Sequence, residues 1–324
     1  MNRWPILPVI HVGRPTVDYT GETNPYMYRI VTDMLCTRVA TYQQDRQAAA
    51  LRAWRLTFEY RGLDAMLRNV PVPHEVFTRW TLGQQQLQPR WFEKGVTYDG
   101  NIAIQPGATI RPLVTLVGLQ GTYERTLAAY TDWRGVLQGK GLEAARRVLR
   151  WFEVEPDLRK PNVRTVRAIS REPAPFATPA SLDWQITFDT EMMVFGLEVG
   201  SAYRTNDLLI ETSLDIQGAR TVYPATDPVL VGQSSQFFCD CNGTEPFRFP
   251  FDFPMSFSVQ DTISGNMRFL AGTSDPIWPT ISVYGYAGPP EQAITGYALW
   301  VAAQWGDAEA QRLLVSTNAG RVGG

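Results

Sequence analysis

The sequence predicts a mainly β chain with an α+β N-terminal part, and three observations carry that expectation. Short runs rich in Val, Ile, Thr and aromatic residues alternate along most of the 324 residues and are punctuated by Gly and Pro. One zone, about 122–152, has helical spacing instead. Near Gly196 to Arg204 the pattern breaks, and short strands with turn signals follow.

Taken in order, "YMYRIVTDMLCTRVATY" (Tyr26 to Tyr42) and "LRAWRLTFEYRG" (Leu51 to Gly62) read as strands. "LDAMLRNV" begins with helical spacing at Leu63, Met66 and Leu67, and Pro71 and Pro73 stop it. "TIRPLVTLVG" reads as a strand, with Pro112 marking an edge or a start. Thr122 is placed to cap a helix with Glu124 in its first turn. Tyr123, Leu127, Tyr130 and Leu137 share a face of that helix, and "GKG" breaks it before Leu142, Ala145, Leu149 and Phe152 resume the spacing. "VRTVRAISREPAPF" and "LDWQITFDTEMMVFG" read as paired strands. Beyond the break "DLLIETSLDI", "RTVYPAT", "PVLVG", "SQFFCDC", "MSFSVQDT", "NMRFLAG", "TISVYGYA" and "YALWVAAQ" read as strands of an antiparallel sandwich, and the tail "QRLLVSTNAGRVGG" adds one more strand to that expectation. No internal repeat is apparent.

Composition narrows function. A formal charge of −2 gives no electrostatic case for nucleic acid or an anionic membrane as the main partner. No apolar run approaches the roughly eighteen residues of a membrane span, and the N-terminus reads poorly as a signal peptide. Three cysteines, Cys36, Cys239 and Cys241, argue against a disulfide framework. "CDC" with Cys36, His11 and His74 is a poor metal set, because these residues are scattered and buried thiols explain them as well. "NGT" at Asn242 reads as a chance sequon. With two histidines and no Walker, Rossmann, nucleophile-elbow or zincin motif, the expectation is no enzyme, no cofactor and no metal. Asp189 and Glu191 in "FDTE" share one side of a presumed strand, the arrangement a glycosidase pair would need, although a solvated face explains them better. Arg146, Arg147 and Arg150 read as a solvated or partner-facing stripe. Ten Trp, thirteen Tyr and fifteen Phe, with only three Lys (Lys94, Lys140, Lys160), suit an assembly subunit, since interface cores favour aromatics and Arg; genomic GC bias is the competing explanation for Arg over Lys.

Two blocks resemble the distal tail proteins and related minor tail proteins of long-tailed bacteriophages, over roughly residues 108 to 290. One is "FRFPFDFPMSFS" followed by Gly272, Thr273, Pro276, Pro279, Ile281, Val283 and Gly285; the other ends in Trp184, Ile186, Thr187 and Phe188, a "W-x-[IL]-T-F" signature. The resemblance implies a split-barrel-like, ring-forming domain over 1–198, with a helical insertion at about 122–152, and a galectin-like antiparallel β-sandwich over 199–324. It further implies a homo-oligomeric, usually hexameric, ring at the virion's tail tip, joining the tail tube protein to the hub and to fibres or receptor-binding proteins. A carbohydrate- or receptor-binding tail module is the alternative.

Overall fold

The computed structural model describes residues 4–13, 19–20, 24–30, 32–43, 54–60, 72–73, 89–104, 109–110, 112–161, 165–169, 181–201, 209–213, 215–217, 236–240, 247–269 and 279–319. They form a mostly β chain of antiparallel sheets with a few helices. The first half holds strands Leu7–Gly13 (β1), Tyr19–Thr20 (β2), Asn24–Arg29 (β3), Met34–Gln43 (β4) and Trp54–Tyr60 (β5). Val72–Pro73 (β6), Arg90–Phe92 (β7), Thr97–Ile104 (β8), Thr109–Ile110 (β9) and Pro112–Gln120 (β10) follow, and then helices Tyr123–Leu137 (α1) and Gly141–Arg150 (α2). The second half holds Thr165–Ile169 (β11), Ser181–Thr187 (β12), Met192–Ser201 (β13), Leu209–Ser213 (β14) and Asp215–Gln217 (β15). It continues with Gln236–Asp240 (β16), Phe247–Phe257 (β17), Thr262–Phe269 (β18) and Pro279–Ala287 (β19), closing on helices Pro290–Gln304 (α3) and Ala308–Ala319 (α4).

The two halves have one topology. In the first, the sheets run β1-β10-β4-β7 and β3-β8-β5-β6; in the second, β11-β19-β13-β17 and β12-β18-β14-β16. Matched in chain order, β1, β3, β4, β5, β6, β7, β8 and β10 correspond to β11, β12, β13, β14, β16, β17, β18 and β19. Eight strands distributed over two sheets in this order have the connectivity of a jelly roll, and the chain contains it twice. Each copy ends in a helical pair whose first helix has 15 residues.

This corrects the reading that no internal repeat exists. Pro112, Gly118, Gly121, Glu124, Tyr130, Trp133, Gly139 and Val148 recur, each 167 residues on, as Pro279, Gly285, Gly288, Glu291, Tyr297, Trp300, Gly306 and Val315. The backbone explains why the glycines recur. A Cβ on Gly118 would lie 1.9 Å from the Leu35 carbonyl oxygen, and one on Gly285 would lie 1.9 Å from that of Met193. Each glycine faces a β-bulge, at Thr37 in β4 and at Phe195 in β13, where the partner strand is pushed close. Gly139 and Gly306 both end the 15-residue helix with positive φ, 75° and 89°. An earlier stretch repeats too: Thr32-Asp33-Met34 and Thr190-Glu191-Met192 each lead into a bulged strand.

Other expectations change with it. The boundary at 198/199 falls inside β13, which is paired on both sides, to β17 and β19. The helices at 123–150 close the first repeat instead of interrupting an N-terminal domain, and the junction lies between Arg150 and Thr165. The expected halves were unlike each other, whereas these share one strand order. "YALWVAAQ" lies in helix α3 and "QRLLVSTNA" in helix α4, not in strands, and residues 320–324 lie outside the described residues. The first has Pro290 in its first turn, where a missing N–H costs nothing. "LDWQITFDTEMMVFG" and "YMYRIVTDMLCTRVATY" each divide into two strands of different sheets, and β11 pairs with β19, not with its successor. Pro112 starts β10, which is a central strand between β1 and β4. Thr122 precedes α1 but makes no side-chain cap; its carbonyl accepts the Thr126 N–H at 2.9 Å. Leu63 to Leu67 lie outside the described residues.

One core joins the repeats. Ile6, Leu35 and Leu119 of the first share it with Met193, Phe195 and Phe253 of the second, roofed by Tyr130, Trp133, Val148 and Leu149. β17 is the link, and its Phe-Pro sequence has a purpose. Between Met255, opposite Val194, and Pro250, opposite Gly196, the strand bows away from β13. The bow sends Phe253 against Phe152 (ring centroids 5.9 Å) and Trp151 (6.2 Å), and prolines, which donate no backbone N–H, stand at both of its ends, Pro250 and Pro254. Phe257 stacks on Phe188 at 4.4 Å and meets Trp4 at 5.8 Å.

Candidate functional site

Two arrangements stand out once the fold is in place, a buried polar clasp and a helical layer. The clasp joins β4 to the bowed part of β17. Asp252 Oδ2 accepts from Arg38 Nη2 at 3.1 Å and lies 2.5 Å from Thr37 Oγ1, and Arg38 Nη2 also donates to the Pro250 carbonyl at 2.6 Å. Thr37, the bulged residue, is buried, and the charged pair is nearly so. A carboxylate held by a guanidinium and a hydroxyl in one fixed geometry is a structural tie between the two strands. Burial dominates the neighbouring titrations. It pushes the Cys36 thiol up to about 12, helped by the Asp252 charge and opposed by hydrogen bonds to Arg38 and Val117. Burial raises Tyr130 as well, again with Asp252 adding to it.

The helical layer is built from the repeat. α1 points Ala129, Tyr130, Trp133 and Val136 inward, and α2 points Ala144, Ala145, Val148 and Leu149 the same way. Trp133 meets Phe195 at 5.2 Å and stacks on Tyr297 of α3 at 5.8 Å. Tyr297 in turn stacks on Trp300 at 6.1 Å, and burial holds its phenol up at about 12. Trp151 donates Nε1–H to Asp132 at 2.9 Å, and Arg147 lies 3.5 Å from the same carboxylate. The α3–α4 corner is tightly made. Asp307 N–H reaches the Ala302 carbonyl, Gly306 N–H reaches that of Ala303, and Asp307 Oδ1 caps the N–H groups of Glu309 and Ala310. On the outside of this layer Trp300, Trp305 and Val315 are exposed. The Trp305 ring lies over Gly139, where a Cβ would be 2.6 Å from its Cδ1.

Among the described residues, those singled out from sequence do not converge. Asp189 and Glu191 lie in the turn between β12 and β13, exposed, and not on a strand face. That turn is held by backbone bonds, Phe188 N–H to Asp261 O and Gln260 N–H to Phe188 O. His11 lies in β1 opposite Leu116, and Cys239 lies in β16 opposite Ile210. His74, Cys241, Asn242, Gly272, Thr273 and Pro276 lie outside the described residues. Arg146 and Arg150 are exposed, while Arg147 pairs with Asp132 and Glu143. Trp184, Ile186, Phe188, Ile281 and Val283 are buried packing residues, and Thr187 is exposed. Among the described residues no group of three or more His, Cys, Asp and Glu could hold a metal ion. No described helix is long and apolar enough to cross a membrane. What sequence reasoning missed is the exposed face at Trp300 and Val315, which shows once the 167-residue recurrence is set in the register of the structure.

No family model matches the chain, and no curated protein matches it. Among solved structures it is similar to a chain of the Sulfolobus Turreted Icosahedral Virus, at 10% identity over 94% of this chain and 99% of that one, with a TM-score of 0.22. It is also similar to a fucolectin from striped bass (Morone saxatilis) serum, at 11% identity over 83% and 85% of the chains, with a TM-score of 0.16. Likenesses at these scores carry no argument about fold or function. The strand orders stand without them.

Proposed function

We propose that the chain is a structural subunit of a virus particle, building its shell, in place of the tail-tip adaptor ring that the resemblance implies. The observation that carries this reading is the tandem repeat of one eight-strand unit. Fold alone does not fix function, and jelly rolls also serve lectins. Two like units locked in one rigid body, however, present like faces at regular intervals, which is what a closed, repetitive assembly requires. The clasp at Asp252 and the shared core keep the two units from moving apart. A glycan- or receptor-binding module is the alternative, since jelly-roll units also carry such sites. A homo-oligomer remains the expectation, but its six-fold outline is supplied by three chains of two units each.

The test has two parts. Light scattering on the full-length protein is expected to give a three-chain mass, and antibodies raised against it are expected to label the whole particle surface. Labelling confined to one end of a tail, with a six-chain mass, would restore the tail-tip adaptor and end the shell reading.

A further inference from the structure

The repeat makes a contact inside the chain that it leaves unmade at its outer faces. Within the chain, α2 of the first unit packs on α3 of the second, and Trp133 stacks on Tyr297. Val148 shares its core with Ala293, Ile294 and Ala298 of α3. Trp133 is 3% exposed and Val148 0%. Their counterparts 167 residues on keep the residue type and the place in the fold, yet Trp300 is 44% exposed and Val315 68%. The described residues hold no third unit to cover them.

The opposite face shows the complementary pattern. Thr295 and Ala298 of α3 are fully buried. Their counterparts on α1, Ala128 and Thr131, are exposed. Both pairs are small side chains, so α1 offers an incoming helix the same close approach that α3 gives α2. An apolar Val and a half-open Trp are therefore kept on one face, and a small-residue seat on the other.

We propose that these two faces bind each other between copies: α3–α4 of one copy docks on α1 of the next, repeating the contact that α1–α2 makes with α3 inside each chain. The proposal rests on the shell-subunit reading and names the surface by which the copies join. Such a contact uses two different patches, is heterologous, and closes into a ring when its rotation permits.

The experiment uses two full-length variants, Val315→Asp and Thr131→Arg, each at an exposed position, with circular dichroism and melting as folding controls. Expected are an oligomeric wild type, monomeric single variants with unchanged melting, and dimers in a one-to-one mixture of the two variants. The mixture succeeds because each variant retains the face that the other has lost. Wild-type mass in either variant, a mixture that stays monomeric, or a wild type that is itself monomeric each overturns the proposal. If the wild type and both variants still build whole-surface-labelled particles, the shell reading survives and this interface falls.

Discussion

Arg38 of the first repeat donates to Asp252 of the second across 3.1 Å, tying together residues 214 positions apart in the chain. Both side chains are shielded from water, so removing one strands the other in a poor solvent. Asp252→Ala is expected to destabilise the protein by about 3 kcal/mol. Because the pair spans the repeats, denaturation followed by tryptophan fluorescence is expected to keep one transition at a lower midpoint. Loss of less than about 1 kcal/mol would show that the clasp is not closed in solution.

The recurring glycines predict a graded response to alanine. Gly118→Ala and Gly285→Ala place a methyl 1.9 Å from a carbonyl oxygen, and each is expected to cost about 3 kcal/mol. Gly306→Ala meets nothing within 4 Å and costs only the left-handed backbone term, about 1 kcal/mol. Chemical denaturation of the three variants checks the order. An equal cost at all three would mean that the bulges relax.

Glu153, in the turn three residues past α2, has φ 60° without being a glycine, and its N–H bonds to the Arg150 carbonyl. Glu153→Gly relieves that conformation and is expected to raise stability by about 0.5 kcal/mol, after the entropy a glycine adds to the unfolded chain. A fall in melting temperature would contradict this.

Cys36 supplies a pH signature. Its thiol titrates at about 12 in the fold against 9.0 in the reference state, because burial opposes the thiolate. The raised value means the contribution is complete below pH 9 and is lost as pH rises toward 12. At pH 10 a loss on the order of 1 kcal/mol relative to pH 8 is expected. Cys36→Ala is expected to flatten the stability profile between pH 9 and 10, the window before the tyrosines add to it. A thiol reagent at pH 8 should label Cys36 only in the unfolded protein.

β13 lies between β17 and β19, so first proteolytic cuts are expected outside 192–201. Early fragments ending within that strand would favour the boundary at 198/199.

Some of this fold was legible in the sequence and some was not, for physical reasons. α1 and α2 were readable because one face is apolar, the other charged, and Gly139 and Gly141 punctuate them. α3 was not, since it is apolar nearly all round, buried against α1 and α2 on one side and capped by α4 on another, so no polar stripe revealed its period. The links from β3 to β4 and from β12 to β13 carry no Gly or Pro in sequence, and each was read through as a single strand. The repeat escaped notice because what recurs is sparse: glycines where the backbone crowds, and a Tyr and a Trp that stack. Packing tolerates substitution at the positions between them. The exposed face at Val315 could be recognised only by comparison with Val148, and that needs the register the structure supplies.

Placing two units in one polypeptide also alters how an assembly would start. The contact between α2 and α3 forms within a single molecule, at an effective concentration fixed by the tether and not by the amount of protein made. Half of the contacts around a ring of six units are then complete before any two molecules meet. A dilute solution that would leave single units dispersed can still carry such a chain across the nucleation step. Each join left to diffusion is also free to evolve apart from its internal counterpart, since the two are encoded by different residues.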